Sequence, residues 1–313
     1  MQKFHKTQYD SFENEQRKTF SKLFFSLTFS MIISYLILLL IILAIHYFPN
    51  LPKSLSLVIN DCYTIFTIIL FCIFSKGITS RRPLALSDMT KGKFFLFVCA
   101  SVPLMLAGAL IGNILSSLLS NILGHDIVNA IGSLAQDYPF PLVFVSVIVV
   151  APVFEELMFR KLLIDKISRF GFSFSILVSG LVFGTFHGNF YQIFYGCLLG
   201  FVLAFIYCMY GKLSHCIALH SLINFIGFIC PMYFSEFLSS ANFLLKFFAM
   251  CYFLVYYLCI PLGIGFVVIG IKTIRIKYPS LFCMSGISLA FKNFGFVFYI
   301  VFVVIMLTFS VLP

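Results

Sequence analysis

A chain of 313 residues that is 61% hydrophobic and 10% charged, with a mean hydropathy of +1.06, carries too few charges for a soluble domain, where about 25% is usual. Its formal charge of +10 lies in clusters between apolar segments, which set topology and meet anionic headgroups. No basic face stands on a soluble domain, which excludes a nucleic-acid partner.

The expected fold class is all-α, a polytopic membrane helical bundle of eight to nine transmembrane helices. Residues 1–22 are polar, and no small-residue cleavage site follows, so the first apolar stretch reads as a retained span. Spans need about 20 apolar residues. Nine segments qualify, at roughly 23–48, 55–74, 94–119, 142–160 and beyond, 172–187, 190–210, 214–234, 244–271 and 294–312. The second and fifth are the weakest, and a re-entrant segment would reduce the count to eight. With the N-terminus cytoplasmic, all but Lys53 and Lys246 of the 21 lysines and arginines fall on the inner side, as the positive-inside rule asks of nine spans.

In chain order this gives a cytoplasmic N-terminal segment (1–22), N-terminal transmembrane helices (23–138), a core (139–234) and C-terminal helices (235–313). The outer connection 120–138, with Asp126 and Asp137, is assigned no role. No internal repeat is visible, so a transporter built of paired halves gains no support. Tryptophan is absent, leaving the 15 tyrosines as interfacial aromatics. The ten cysteines show no C-x-x-C spacing and read as small buried hydrophobes.

The core opens with Pro139 and Pro141, suited to a helix start, and its first helix is expected to run to Arg169 and stop at Gly171. Pro152 lies inside it, so a kink is expected three residues before Glu155. Ionisable groups at membrane depth mark functional sites by default, and Glu155, Glu156 and Arg160 are three in one helix. Glu156 and Arg160, four apart, share a face and suit an ion pair. Glu155 is rotated about 100° away and is left for chemistry. Taken alone, such a trio also reads as an interfacial charge cluster at a helix end.

Glu155 and His187 stand 16 residues on either side of Gly171. If Gly171 is a cytoplasmic tip, both sit about 24 Å up straight helices. The section 160–169 is then expected to stand partly outside the membrane. His220 is eight residues past Lys212, about 12 Å by the same rise, so three polar groups from three helices reach similar depth. Phe183 shares a face with His187, and Asn224 shares one with His220. His5, His46, His125 and His215 lie in tails, loops or interfaces and read as packing residues.

A carboxylate in an apolar cavity gains base strength by desolvation. A neighbouring imidazole can hold the water, while a second imidazole and a carboxamide N–H can donate to the oxygen of a tetrahedral intermediate. Glu155, His187 and His220 could alternatively hold zinc with one open position, although the H-E-x-x-H signature is absent.

The runs Glu155-Glu156-Leu157-Met158-Phe159-Arg160, Phe183-Gly184-Thr185-Phe186-His187 and His220-Ser221-Leu222-Ile223-Asn224 resemble the E-E-x-x-x-R, F-x-x-x-H and H-x-x-x-N/D motifs of the CAAX protease and bacteriocin-processing family. This family, also called CPBP or Abi, includes the Ras-converting prenyl-protein peptidases. The turn Tyr210-Gly211-Lys212-Leu213-Ser214 also resembles that of the family, and Lys161 departs from a frequent glycine. The resemblance covers residues 150–225. It implies an intramembrane endopeptidase acting on a membrane-associated peptide or precursor in the lipid bilayer, by analogy in a bacterial plasma membrane.

By that analogy Glu155 and His187 activate water, His220 and Asn224 stabilise the oxyanion, and Glu156, Arg160 and Phe183 support them. Family members are described both as metalloproteases and as metal-free glutamate peptidases. The metal-free reading, with no cofactor, is favoured here, and zinc is the alternative. A non-catalytic immunity or scaffolding protein of the same fold is the competing function. A proton-coupled transporter using Glu155 and Glu156 is a third.

Overall fold

A computed structural model of the protein describes residues 2–48, 52, 54–83, 85–129, 132, 137–278 and 292–312, apart from the side chains of 2–12 and 46. Lys53 and the side chains of His5 and His46 lie outside the described residues. All the regular structure described is helical: α1 (Gln2–His46), α2 (Ser54–Phe74), α3 (Lys91–Leu123), α4 (Phe140–Phe170), α5 (Phe172–Phe186), α6 (Phe190–Tyr210), α7 (Leu213–Leu238), α8 (Phe243–Lys277) and α9 (Phe294–Phe309). The chain is an integral membrane protein of the helical-bundle class.

Seven of these helices are long and apolar enough to cross a membrane. The weak second segment is a full helix of 21 residues, whereas α5 has 15 and α9, not counted among the weakest, has 16. At 1.5 Å per residue these two span about 22–24 Å, short of a hydrocarbon core of about 30 Å.

Helix ends follow local chemistry. Thr90, Asn189, Asn242 and Asn293 cap α3, α6, α8 and α9 through side-chain oxygens that accept backbone N–H groups of the first turn. Pro139 is the N-cap of α4 and Pro141 falls in its first turn. Gly171 (φ 129°) turns the chain from α4 into α5, and Gly211 (φ 68°) closes α6 with its N–H on the Tyr207 carbonyl. Both turns were expected from the sequence.

Around Pro152 the outcome differs in form from a simple break. The backbone widens to i→i+5 turns over Ser146–Val150, where the Ala151 N–H reaches the Ser146 carbonyl, and again over Leu157–Ile164. Pro152 then sits in the first turn of the intervening α segment, Ala151–Glu156. Such wide turns recur at functional sites. They also upset the straight-helix geometry behind the equal-height expectation.

Small residues let the central helices approach closely. Gly108, Gly112 and Ser116, four apart on α3, are buried, and a Cβ at Gly112 would lie 2.6 Å from the Phe190 carbonyl oxygen of α6. Between α5 and α6, a Cβ on Gly196 would lie 3.0 Å from the Gly184 Cα, and one on Gly200 would lie 3.0 Å from the Gly180 Cα. Membrane helices pack by this kind of contact because burial from lipid supplies little drive. On the other flank, Phe20, Leu23, Phe24, Leu27 and Met31 form the buried stripe of α1. Phe20 lies 4.9 Å from both Phe170 and Phe174, so α1 covers the α4–α5 turn. Its polar end adds Glu15 to Arg169 at 2.7 Å.

Candidate active site

Glu156 and Arg160 are both fully buried and paired as expected, with Nε to Oε2 at 2.9 Å and Nη2 donating to Oε1 at 3.2 Å. Arg160 is further held by Ser179 of α5, whose Oγ accepts from Nη1 at 3.2 Å and donates to the Phe159 carbonyl at 3.0 Å. The Phe183 ring lies under the guanidinium, 4.8 Å from Cζ to centroid. Arg160 is enclosed by the bundle, its charge met by Glu156, Ser179 and an aromatic face.

His220, buried on α7, bridges the two glutamates. Its Nδ1 donates to Glu156 Oε1 at 3.0 Å, and its Nε2 stands 3.8 Å from Glu155 Oε2. Because Glu156 is already an arginine-paired acceptor, the Nδ1 proton points to it. Nε2 is then the ring atom left facing Glu155. The 3.8 Å gap is too long for a direct hydrogen bond and within the reach of one bridging water.

The Phe183 ring also packs edge-on against both histidines, 5.4 Å from His187 and 5.6 Å from His220. His187 itself caps α5 at the turn into α6. Its ring lies where a Cβ on Gly196 would stand 3.1 Å from Cδ2. Asn224 ends the regular part of α7, and its Nδ2 donates to the Val147 carbonyl in the first wide turn of α4 at 2.9 Å. A carboxamide has two N–H donors, so one remains for a ligand.

Glu155, Phe183, His187, His220 and Asn224 line one cavity of about 710 Å³. Glu156 and Arg160 stand behind its wall. The cavity continues past Gln192 and Tyr195 toward Ser56 and Tyr138, which share a 2.8 Å hydrogen bond beside the first turns of α2 and α4. It therefore runs from Glu155 toward the face opposite the Gly171 turn.

Sequence reasoning missed Asp61 of α2 and Ser146 of α4. Both line the cavity, and the serine hydroxyl lies 2.7 and 2.8 Å from the two carboxylate oxygens. The rule that singled out Glu155, an acid within an apolar span, applies equally to Asp61 and would have found it.

Among the described residues no three His, Cys, Asp or Glu side chains converge as metal ligands. Of the expected trio, His220 Nε2 and Glu155 Oε2 stand 3.8 Å apart with Nδ1 held by Glu156, a pair that one ion could join, and His187 does not complete a set of three with them.

The arrangement provides one carboxylate open to a cavity, an imidazole oriented toward it by a second, fixed carboxylate, another imidazole, and a carboxamide donor. No curated protein and no solved structure matches the chain. The stretch that builds this site, residues 137–226, matches the family model described as type II CAAX prenyl endopeptidase Rce1-like, in accord with the resemblance carried by the three motifs.

Proposed function

We propose that the protein is an intramembrane endopeptidase that hydrolyses a membrane-associated peptide with water activated by Glu155. The observation carrying this reading is the division of labour between adjacent acids. Glu156 is consumed by Arg160 and His220, while Glu155 faces His220 Nε2 across 3.8 Å in a cavity. A water in that gap would give a proton to Glu155 as its oxygen bonds the scissile carbonyl carbon. The carbonyl π electrons move to oxygen, where Asn224 Nδ2 offers a donor; His220, expected by analogy to share that role, has its proton turned to Glu156. As the intermediate collapses, the C–N bond breaks and Glu155 returns its proton to the leaving nitrogen. His187, on the same cavity wall, is assigned to holding the water.

In the metal-free form of this reaction, favoured from the sequence over zinc, cleavage should survive incubation with a zinc chelator. The family match supports a substrate whose apolar or lipidated end is delivered by the bilayer. The test is a mass-spectrometric comparison of small secreted peptides from cells carrying the wild-type or the Glu155→Ala chain at equal expression. Loss of a general base typically lowers the rate about 10²–10⁴-fold, so a processed peptide should disappear. Unchanged peptide profiles, with the cellular phenotype intact in Glu155→Ala and His187→Ala, would instead favour a non-catalytic immunity or scaffolding role.

A further inference from the structure

α2 carries a single carboxylate, Asp61, and places it on the wall of the cavity that holds Glu155. Its two oxygens share the hydroxyl of Ser146, at 2.7 and 2.8 Å. Among the described residues no lysine, arginine or histidine forms an ion pair with it. A serine has one proton to give and a carboxylate about four acceptor positions, so most of its capacity is turned to the cavity. Tying α2 to α4 needs only a neutral partner for Ser146, and a charge within the bilayer is costly. The charge therefore has no counterpart among the described residues.

The groups around it sharpen the deficit. Glu155, close enough to act on Asp61 electrostatically, has the same sign. The one arginine nearby, Arg160, is committed to Glu156 and Ser179. A cavity walled by two acids and no free cation among the described residues concentrates a negative potential that draws cations.

We propose that Asp61 is a specificity-determining residue that receives a lysine or arginine side chain of the peptide, an inference that rests on the peptidase reading. Its position adds a register. Ser146, which touches Asp61, precedes Glu155 by nine residues on α4, at most about 13 Å along a helix and less where its turns widen. An extended peptide advances about 3.3 Å per residue, so the recognised cation lies within about four residues of the scissile bond.

The test uses the full chain carrying Glu155→Gln in phosphatidylcholine nanodiscs. Its probes are fluorescent palmitoylated peptides in which one lysine is moved residue by residue through a neutral sequence, with norleucine as control. One lysine position should bind about tenfold or more tighter than its norleucine counterpart, since tenfold is the smallest effect of a close charge pair. Adding Asp61→Asn, which preserves an acceptor for Ser146, should bring that ratio to near one, while Ser146→Ala should keep it. Equal binding at every position, or a preference that survives Asp61→Asn, would overturn the proposal. Cleavage by the wild-type chain separates the two readings. A lysine preference without cleavage leaves the cation site standing and removes the peptidase, whereas Glu155-dependent cleavage indifferent to lysine removes the cation site alone.

Discussion

Arg160 has no exposed surface and meets Glu156 through two contacts, so its charge depends on one partner. Replacing Glu156 with alanine strands a buried guanidinium, which typically costs about 3–5 kcal/mol. The unfolding midpoint of Glu156→Ala in detergent should fall accordingly. The double variant Glu156→Leu with Arg160→Met should recover much of that loss, because an apolar pair can replace a buried ion pair. It should still fail to cleave, since His220 loses the acceptor that orients Nε2. A double variant with wild-type turnover would show that Glu156 serves the fold alone. This pair was legible beforehand because four-residue spacing is a local property of a helix. Glu155 pointing elsewhere followed from the same geometry. Asp61 was overlooked although the rule for an acid within an apolar span reaches it; only its pairing with Ser146, 85 residues away, has no mark in the sequence.

At the level of single helices, the sequence marked ends well and backbone register poorly. Pro139, Gly171 and Gly211 act where they stand, through a missing N–H or a left-handed φ. The wide turns over Ser146–Val150 and Leu157–Ile164 have no such local mark. They depend on what α4 meets, namely Asp61 at Ser146, Asn224 at Val147 and Ser179 at Phe159 and Arg160. The contact of α5 with α6 offers a direct test. A Cβ on Gly196 would press on His187 and on the Gly184 backbone, an overpacking that typically costs about 1–3 kcal/mol. Gly196→Ala should therefore lower both thermal stability and cleavage. Gly265→Ala on α8, where a Cβ meets open space, should do neither. Equal behaviour of the two would argue against a tight α5–α6 seat for His187.

For the whole molecule, the all-helical membrane class and nine segments were legible from composition and segment length, because apolar runs of that size have few alternatives in water. Orientation rests on charge asymmetry alone. Reporters at the N-terminus, in the connection after Gly124 and at the C-terminus should report inside, outside and outside, respectively. An inside C-terminus would mean that one short helix does not cross.

The two short helices end together, since a Cβ on Gly188, just past α5, would lie 3.4 Å from Met306 near the end of α9. α5 is enclosed by the bundle, so the mismatch reaches lipid at α9, whose Val297, Val301, Val304 and Ile305 are exposed, roughly 6 Å against an ordinary bilayer. Thinning of the lipids beside α9 is one way to meet it, and it would draw the headgroup layer down toward the His187 turn. A peptide tethered by its own fatty chain would then reach the glutamate with less of its polar backbone dragged through oil. Turnover in vesicles should accordingly fall as acyl tails are lengthened from fourteen toward twenty-two carbons, roughly in step with the growing mismatch. Rates independent of bilayer thickness would mean that the dimple plays no part in delivery.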